Sequence, residues 1–167
     1  DVVAVAAETG ATVLCGNSLG GAVALRVALD RDYALDGLIL AGTGATLGVT
    51  PEILDALATD FDRAIDHLHE PDRLFHDVPP EHLERSRAGM RECGREVTER
   101  DFRTCHAFDA RSRLEELHLP ALALVGEDDK LTPPHYHESL AEELPDNERD
   151  DNQHRGDLER HGQRSFR

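Results

Sequence analysis

Ala11-Thr12-Val13-Leu14-Cys15-Gly16-Asn17-Ser18-Leu19-Gly20-Gly21-Ala22 is the stretch on which the fold turns. Its first five residues form an apolar run of strand length. Gly16 to Gly21 is a turn, and Ala22 to Leu29 reads as a helix rich in small residues. Gly16-x-Ser18-x-Gly20 between a strand and a helix has the form of a nucleophile elbow, in which the serine projects from a strained turn above the sheet edge. The two flanking glycines are expected because the backbone passes too close for side chains. Gly21, Ala22 and Ala24 are expected to let the helix lie near the sheet. The Leu19 N–H, at the helix start, is placed to donate to a developing oxyanion. A phosphate-binding loop is excluded, because no Gly-Lys-Ser/Thr follows.

Residues 1–8 precede this unit with helical spacing of Val2, Val3, Val5 and Ala6, and Gly10 suits the left-handed helix end. Beyond it, Leu35 to Gly42 is apolar on both faces, as a buried parallel strand should be. From Pro51 to Leu117 the apolar residues recur at helical spacing, and Pro71, Pro79-Pro80 and Gly94 punctuate several charged helices. Ala121 to Val125 is a third strand, ending in Gly126-Glu127-Asp128-Asp129-Lys130-Leu131-Thr132-Pro133. His135 to Leu144 reads as a further helix.

A serine nucleophile needs a base, and the base needs an orienting carboxylate. Asp128 and Asp129, at the carboxyl end of the third strand, stand where that acid belongs in chain order. Glu115-Glu116 and Glu142-Glu143 read as exposed helix faces. The pairs His67/His69 and His135/His137 could suggest a metal. Alternate residues do not share a helix face, no further ligand has matching spacing, and solvated surface histidines are expected. Cys15 is expected to be buried at its strand end.

These motifs resemble the α/β-hydrolase superfamily, in the branch of small esterases, haloperoxidase-like proteins and carbon–carbon bond hydrolases. The residues that carry the resemblance are Gly16-Asn17-Ser18-Leu19-Gly20-Gly21, Leu38-Ile39-Leu40-Ala41-Gly42-Thr43-Gly44 and Gly126 to Pro133. It implies an α/β fold with a partial parallel sheet, helices on both faces and a helical cap. The parts are residues 1–49 as core with the elbow, 50–118 as cap, 119–145 as core with the acid strand, and 146–167 as an irregular tail. Aligned on Gly126 and Pro133, the family's acid falls on Asp129. The expected function is serine hydrolysis of an ester-like or activated carbonyl through an acyl-enzyme. The alternatives are carbon–carbon hydrolysis or perhydrolysis on the same triad, or an inactive truncated fragment.

The sequence departs from the family twice. The amino-terminal strands, with the loop that carries the second oxyanion donor, are not in it, so the strand before Ser18 is expected to have an open edge. The final strand and its Gly-x-Gly-His segment are also missing. His154 and His161 stand 25 and 32 residues after Asp129, and His154 is the candidate base. From Asp146 onward the chain holds six acids, five arginines and few large apolar residues, too little to bury for an ordered fold. A frameshift near Asp146 would account for that change.

The net charge of the 167 residues is −16, with 34 acids against 18 basic residues, of which Lys130 is the sole lysine. That charge repels nucleic acid, and small-molecule substrates are the expected partners. Oligomeric state is not encoded legibly. Abundant acid and almost no lysine resemble proteins of salt-loving microbes. There is no apolar run long enough to span a membrane and no basic-then-apolar leader at the start. Cys15, Cys93 and Cys105 form no CxxC, so a reduced, cytoplasmic setting is expected. No metal or organic cofactor is implied.

Overall fold

The computed structural model describes residues 1–71 and 73–144. Helix α1 (Val2–Thr9) ends on Gly10 in the left-handed conformation, φ 69°, and leads into strand β1 (Val13–Asn17). Helix α2 (Leu19–Asp30) follows at once, then strand β2 (Gly37–Ala41). Three helices come next: α3 (Pro51–Thr59), α4 (Phe61–Leu68) and α5 (Pro80–Ala107). A 3-10 turn at Arg111–Glu116 leads to strand β3 (Ala121–Leu124) and helix α6 (Pro134–Glu143).

Among the described residues the sheet has three strands in the order β1-β2-β3, all parallel. The apolar run of β2 is central, with Leu38 and Leu40 buried. Strand β1 has an open edge, as the sequence leads one to expect. On one face, α2, the 3-10 turn and α6 bury Leu25, Leu40, Leu114, Leu117 and Leu140 in a continuous core. Each such leucine, taken fully out of water, contributes about 1.5–3 kcal/mol. On the other face Val13, Leu122 and Leu124 remain open, at 48%, 51% and 45% exposure. Cys15 belongs to that open face and is exposed, which corrects the expectation that its strand end buries it.

Helices α3, α4 and α5 form a second apolar cluster of their own, around Leu57, Ala64 and Leu68. Asp60 caps α4 by accepting the Arg63 N–H. Pro51 and Pro80 open α3 and α5, where a missing N–H costs nothing. Gly94, at φ 82° and ψ 165°, interrupts α5. Arg91 on one side of that break pairs with Asp62 and Asp66, and Arg95 on the other donates to the Ala58 carbonyl. Both arms are thus pinned to α3 and α4.

Two expected surface histidines lie inside instead. His69 and His137 are 2% and 5% exposed. His69 Nδ1 pairs with the Ile65 carbonyl at 2.7 Å, and its Nε2 pairs with the Ser86 hydroxyl at 2.8 Å. A short polar ring that satisfies both nitrogens locally can be buried at little cost. Spacing along the helix does not reveal this.

Candidate active site

Ser18 joins β1 to α2 with φ 50° and ψ −117°. A non-glycine residue in that region stores about 1–3 kcal/mol of strain, which the surroundings must hold in place. Several contacts do so. The Ser18 N–H donates to the Ala41 carbonyl at 2.9 Å, and the Ser18 carbonyl accepts from Gly21 and Ala22. The same carbonyl accepts the Thr43 hydroxyl at 2.9 Å. Ser18 stands at the N-cap of α2, where a serine hydroxyl ordinarily accepts a first-turn N–H. Here it makes no capping hydrogen bond. The hydroxyl is therefore not engaged in capping its own helix.

The glycines around Ser18 differ in their reasons. A Cβ on Gly16 would overlap the Gly20 carbonyl, and one on Gly21 would lie 2.5 Å from Thr43 Cγ2. Gly20 has open space where a Cβ would be, which corrects the expectation that both flanking positions are closed to side chains. The Leu19 N–H opens α2, so it is one of the first-turn amides with no acceptor within the helix.

Asp129 lies in the loop after β3. Its Oδ1 accepts the Leu131 and Thr132 N–H groups at 2.9 and 2.8 Å, and its Oδ2 accepts the Thr132 hydroxyl at 3.1 Å. These bonds fix the carboxylate. Gly42, at φ 48°, lies between the two halves of the site. A Cβ there would be 3.2 Å from Asn17 Nδ2 and 3.3 Å from Asp129 Oδ2. The ends of β1, β2 and β3 therefore bring the Ser18 turn and the Asp129 loop to one place.

A cavity of about 610 Å³ opens there, and both Ser18 and Asp129 line it. Its far wall comes from the helical segment between β2 and β3, through Phe75, His76, Ser86 and Met90. His76 Nε2 is 4.0 Å from the exposed Asp128 carboxylate, so the adjacent acid faces the helical segment while Asp129 faces the sheet. Sequence reading missed His76, Ser86 and Met90, because nothing in their spacing ties them to Ser18. It named Thr43 only within the Leu38-to-Gly44 run, with no role assigned. His154 lies outside the described residues, as do His161 and the rest of the tail. Among the described residues no group of three or more His, Cys, Asp or Glu could hold a metal ion. Among them, too, no helix is long and apolar enough to cross a membrane.

Buried behind this site is His137 on α6. The Thr43 N–H donates to its Nε2 at 3.4 Å. Burial pushes the imidazole below its ordinary pKa, while the Asp129 charge and the Leu124 carbonyl pull it partly back up.

Comparison with known proteins agrees with this architecture. A thermophilic esterase of known structure is 33% identical, with a TM-score of 0.74 over 85% of this chain and 56% of its own. An N-acyl homoserine lactone degrading enzyme is 26% identical, with a TM-score of 0.71 over 87% of this chain and 61% of its own. The enol-lactonase from Burkholderia xenovorans LB400 is 21% identical, with a TM-score of 0.73 over 87% and 59%. This chain thus spans less than two thirds of the length of these structures. No curated protein sequence matches it. The family profile described as serine aminopeptidase, S33, matches residues 2–151. With that match, the strand–Ser18–helix turn and the parallel sheet, the chain belongs to the S33 serine aminopeptidase family and has the α/β-hydrolase fold.

Proposed function

We propose that the protein is a serine hydrolase acting on an ester-like or activated carbonyl through an acyl-enzyme. One observation carries this reading: Ser18 is held at positive φ with its hydroxyl freed from helix capping, on a cavity that the anchored Asp129 also lines. In this reading the Ser18 hydroxyl attacks the carbonyl, the Leu19 N–H donates to the oxyanion, and Asp129 orients the imidazole that takes the proton. His154, outside the described residues, is the candidate for that imidazole. Residues 50–118 act as the cap, and its Phe75 and Met90 give the acyl group an apolar wall.

The test is labelling by a fluorophosphonate serine probe, followed by intact mass. A single adduct, lost in Ser18→Ala, is the expected result. Equal labelling of Ser18→Ala would overturn the assignment. Hydrolysis of p-nitrophenyl acetate by the parent but not by Ser18→Ala separates an enzyme from an inert fragment.

The charge balance also supports a protein adapted to high salt, and the unpaired cysteines Cys15, Cys93 and Cys105 support a reducing, cytoplasmic setting. Exposed acids repel one another at low ionic strength, and salt screens that repulsion. A melting temperature that rises as sodium chloride is raised to about 2 M is expected, since the screening length falls to a few ångströms. A flat or falling response would remove the salt-adapted reading.

A further inference from the structure

We propose that His137 is a positioning residue for the Ser18 turn: from α6 its imidazole holds the Thr43 amide, and Thr43 holds the Ser18 carbonyl. The proposal rests on the reading of Ser18 as nucleophile.

The contacts form a continuous chain. His137 is 5% exposed and Thr43 is fully buried. His137 Nε2 accepts the Thr43 N–H at 3.4 Å. The Thr43 hydroxyl donates to the Ser18 carbonyl at 2.9 Å. The Thr43 side chain is also wedged against Gly21 in the first turn of α2. Thr43 therefore supports the turn from two directions, and His137 supports Thr43.

This arrangement fixes the protonation of the ring. An Nε2 that accepts a hydrogen bond carries no proton, so the proton of the neutral ring is on Nδ1. Nδ1 is buried with no partner at strict hydrogen-bond geometry, and the Leu124 backbone carbonyl hydrogen-bonds the ring loosely. A second proton on Nε2 would set a donor against the Thr43 N–H. Thr43 would have to move, and the strained Ser18 turn would lose a restraint.

The sign follows from burial. The charged group that faces His137 is the Asp129 carboxylate, from the loop after β3, and it favours protonation. Burial opposes it and dominates, so the ring stays neutral below the ordinary imidazole range. The support is complete above the ordinary imidazole value of about 6.5 and is lost as pH falls toward the lower value of the folded state. The site is thus disabled by acid through a residue that does not touch the substrate.

The experiment follows the Thr43 amide resonance in the ¹⁵N-labelled chain from about pH 8 to about pH 4.5, spanning the imidazole range. It compares the native protein with His137→Gln, whose carbonyl can accept without titrating, and with His137→Leu. The Thr43 amide is expected to move with the His137 ring in the native chain and to stay still in His137→Gln. Fluorophosphonate labelling of Ser18 at neutral pH is expected to be about tenfold slower in His137→Leu and within about twofold of native in His137→Gln, the size of one net hydrogen bond. A Thr43 resonance indifferent to His137 titration, or a His137→Leu protein that labels at the native rate, would overturn the proposal. Should His137→Leu not fold, the native and His137→Gln titrations decide. If the native chain takes no label at any pH, the serine-hydrolase reading fails, and the Thr43 resonance alone decides the inference.

Discussion

Gly21 and Thr43 are packed so closely that a methyl group on Gly21 would lie 2.5 Å from Thr43 Cγ2 and 2.8 Å from its hydroxyl. Thr43 is fully buried and cannot swing aside. Gly21→Ala gains up to about 1 kcal/mol of helix propensity and loses about 1–3 kcal/mol to overpacking. We expect net destabilisation by about 1–2 kcal/mol in urea unfolding. Gly20→Ala has open space and should be neutral or stabilising by up to about 1 kcal/mol. The reverse order would disprove this account of the two glycines.

Ser18 offers a second comparison. Its φ of 50° and ψ of −117° suit glycine better than any residue with a Cβ. Ser18→Gly and Ser18→Ala both delete the hydroxyl, so their difference isolates the backbone. Relief of about 1–3 kcal/mol of strain outweighs the extra unfolded-state entropy of glycine, about 0.4–1 kcal/mol. Ser18→Gly should therefore melt higher than Ser18→Ala. Equal melting temperatures would mean the turn is not strained.

The bond between His69 and Ser86 ties α4 to α5 and to the cavity wall. His69→Leu removes this bond and the one to the Ile65 carbonyl. A loss of about 2 kcal/mol is expected, since each buried hydrogen bond contributes about 1 kcal/mol. A double-mutant cycle with Ser86→Ala should show coupling of about 1 kcal/mol. Strictly additive losses would mean that the pair does not interact in solution.

Asp109 and Arg111 give a pH-dependent signature. The Arg111 guanidinium, helped by its backbone N–H, holds the Asp109 carboxyl down at about 2. A lowered carboxyl pKa stabilises the fold above the ordinary aspartate value, and this contribution is lost as pH falls from there through about 2. Both side chains are largely exposed, so the effect on stability is small and screened by salt. NMR titration of the Asp109 carboxyl should place its midpoint near 2 and return it toward the ordinary value in Arg111→Gln. No upward movement in Arg111→Gln would assign the shift to another cause.

Much of this architecture is legible in the chain. Strands β1, β2 and β3 are short apolar runs bounded by turn residues, and Gly94 and Pro80 mark where α5 breaks and begins. The location of Asp129 follows from the strand it ends. Other features depend on what a residue meets in three dimensions. His137 and its neighbour His135 look alike in sequence. One is buried against Thr43 and the other is exposed, because only one faces the sheet. Cys15 looks like a core residue and lies on the open sheet face. His76 enters the cavity from the connection between α4 and α5, and Met90 from α5, where sequence spacing ties neither to Ser18.

The pairing of β2 with β3 has a consequence in time. Leu38 meets Ala121, so the chain between them closes a loop of roughly eighty residues, and closure entropy grows with loop length. Helices α3, α4 and α5 gather their own apolar cluster within that loop from contacts close in sequence. Local contacts form faster than distant ones. These helices should therefore condense first and shorten the span that remains to be closed. Assembly of the Ser18–Asp129 cavity would then be a late event in folding, and its rate would be set by residues on the helices that have no part in the chemistry.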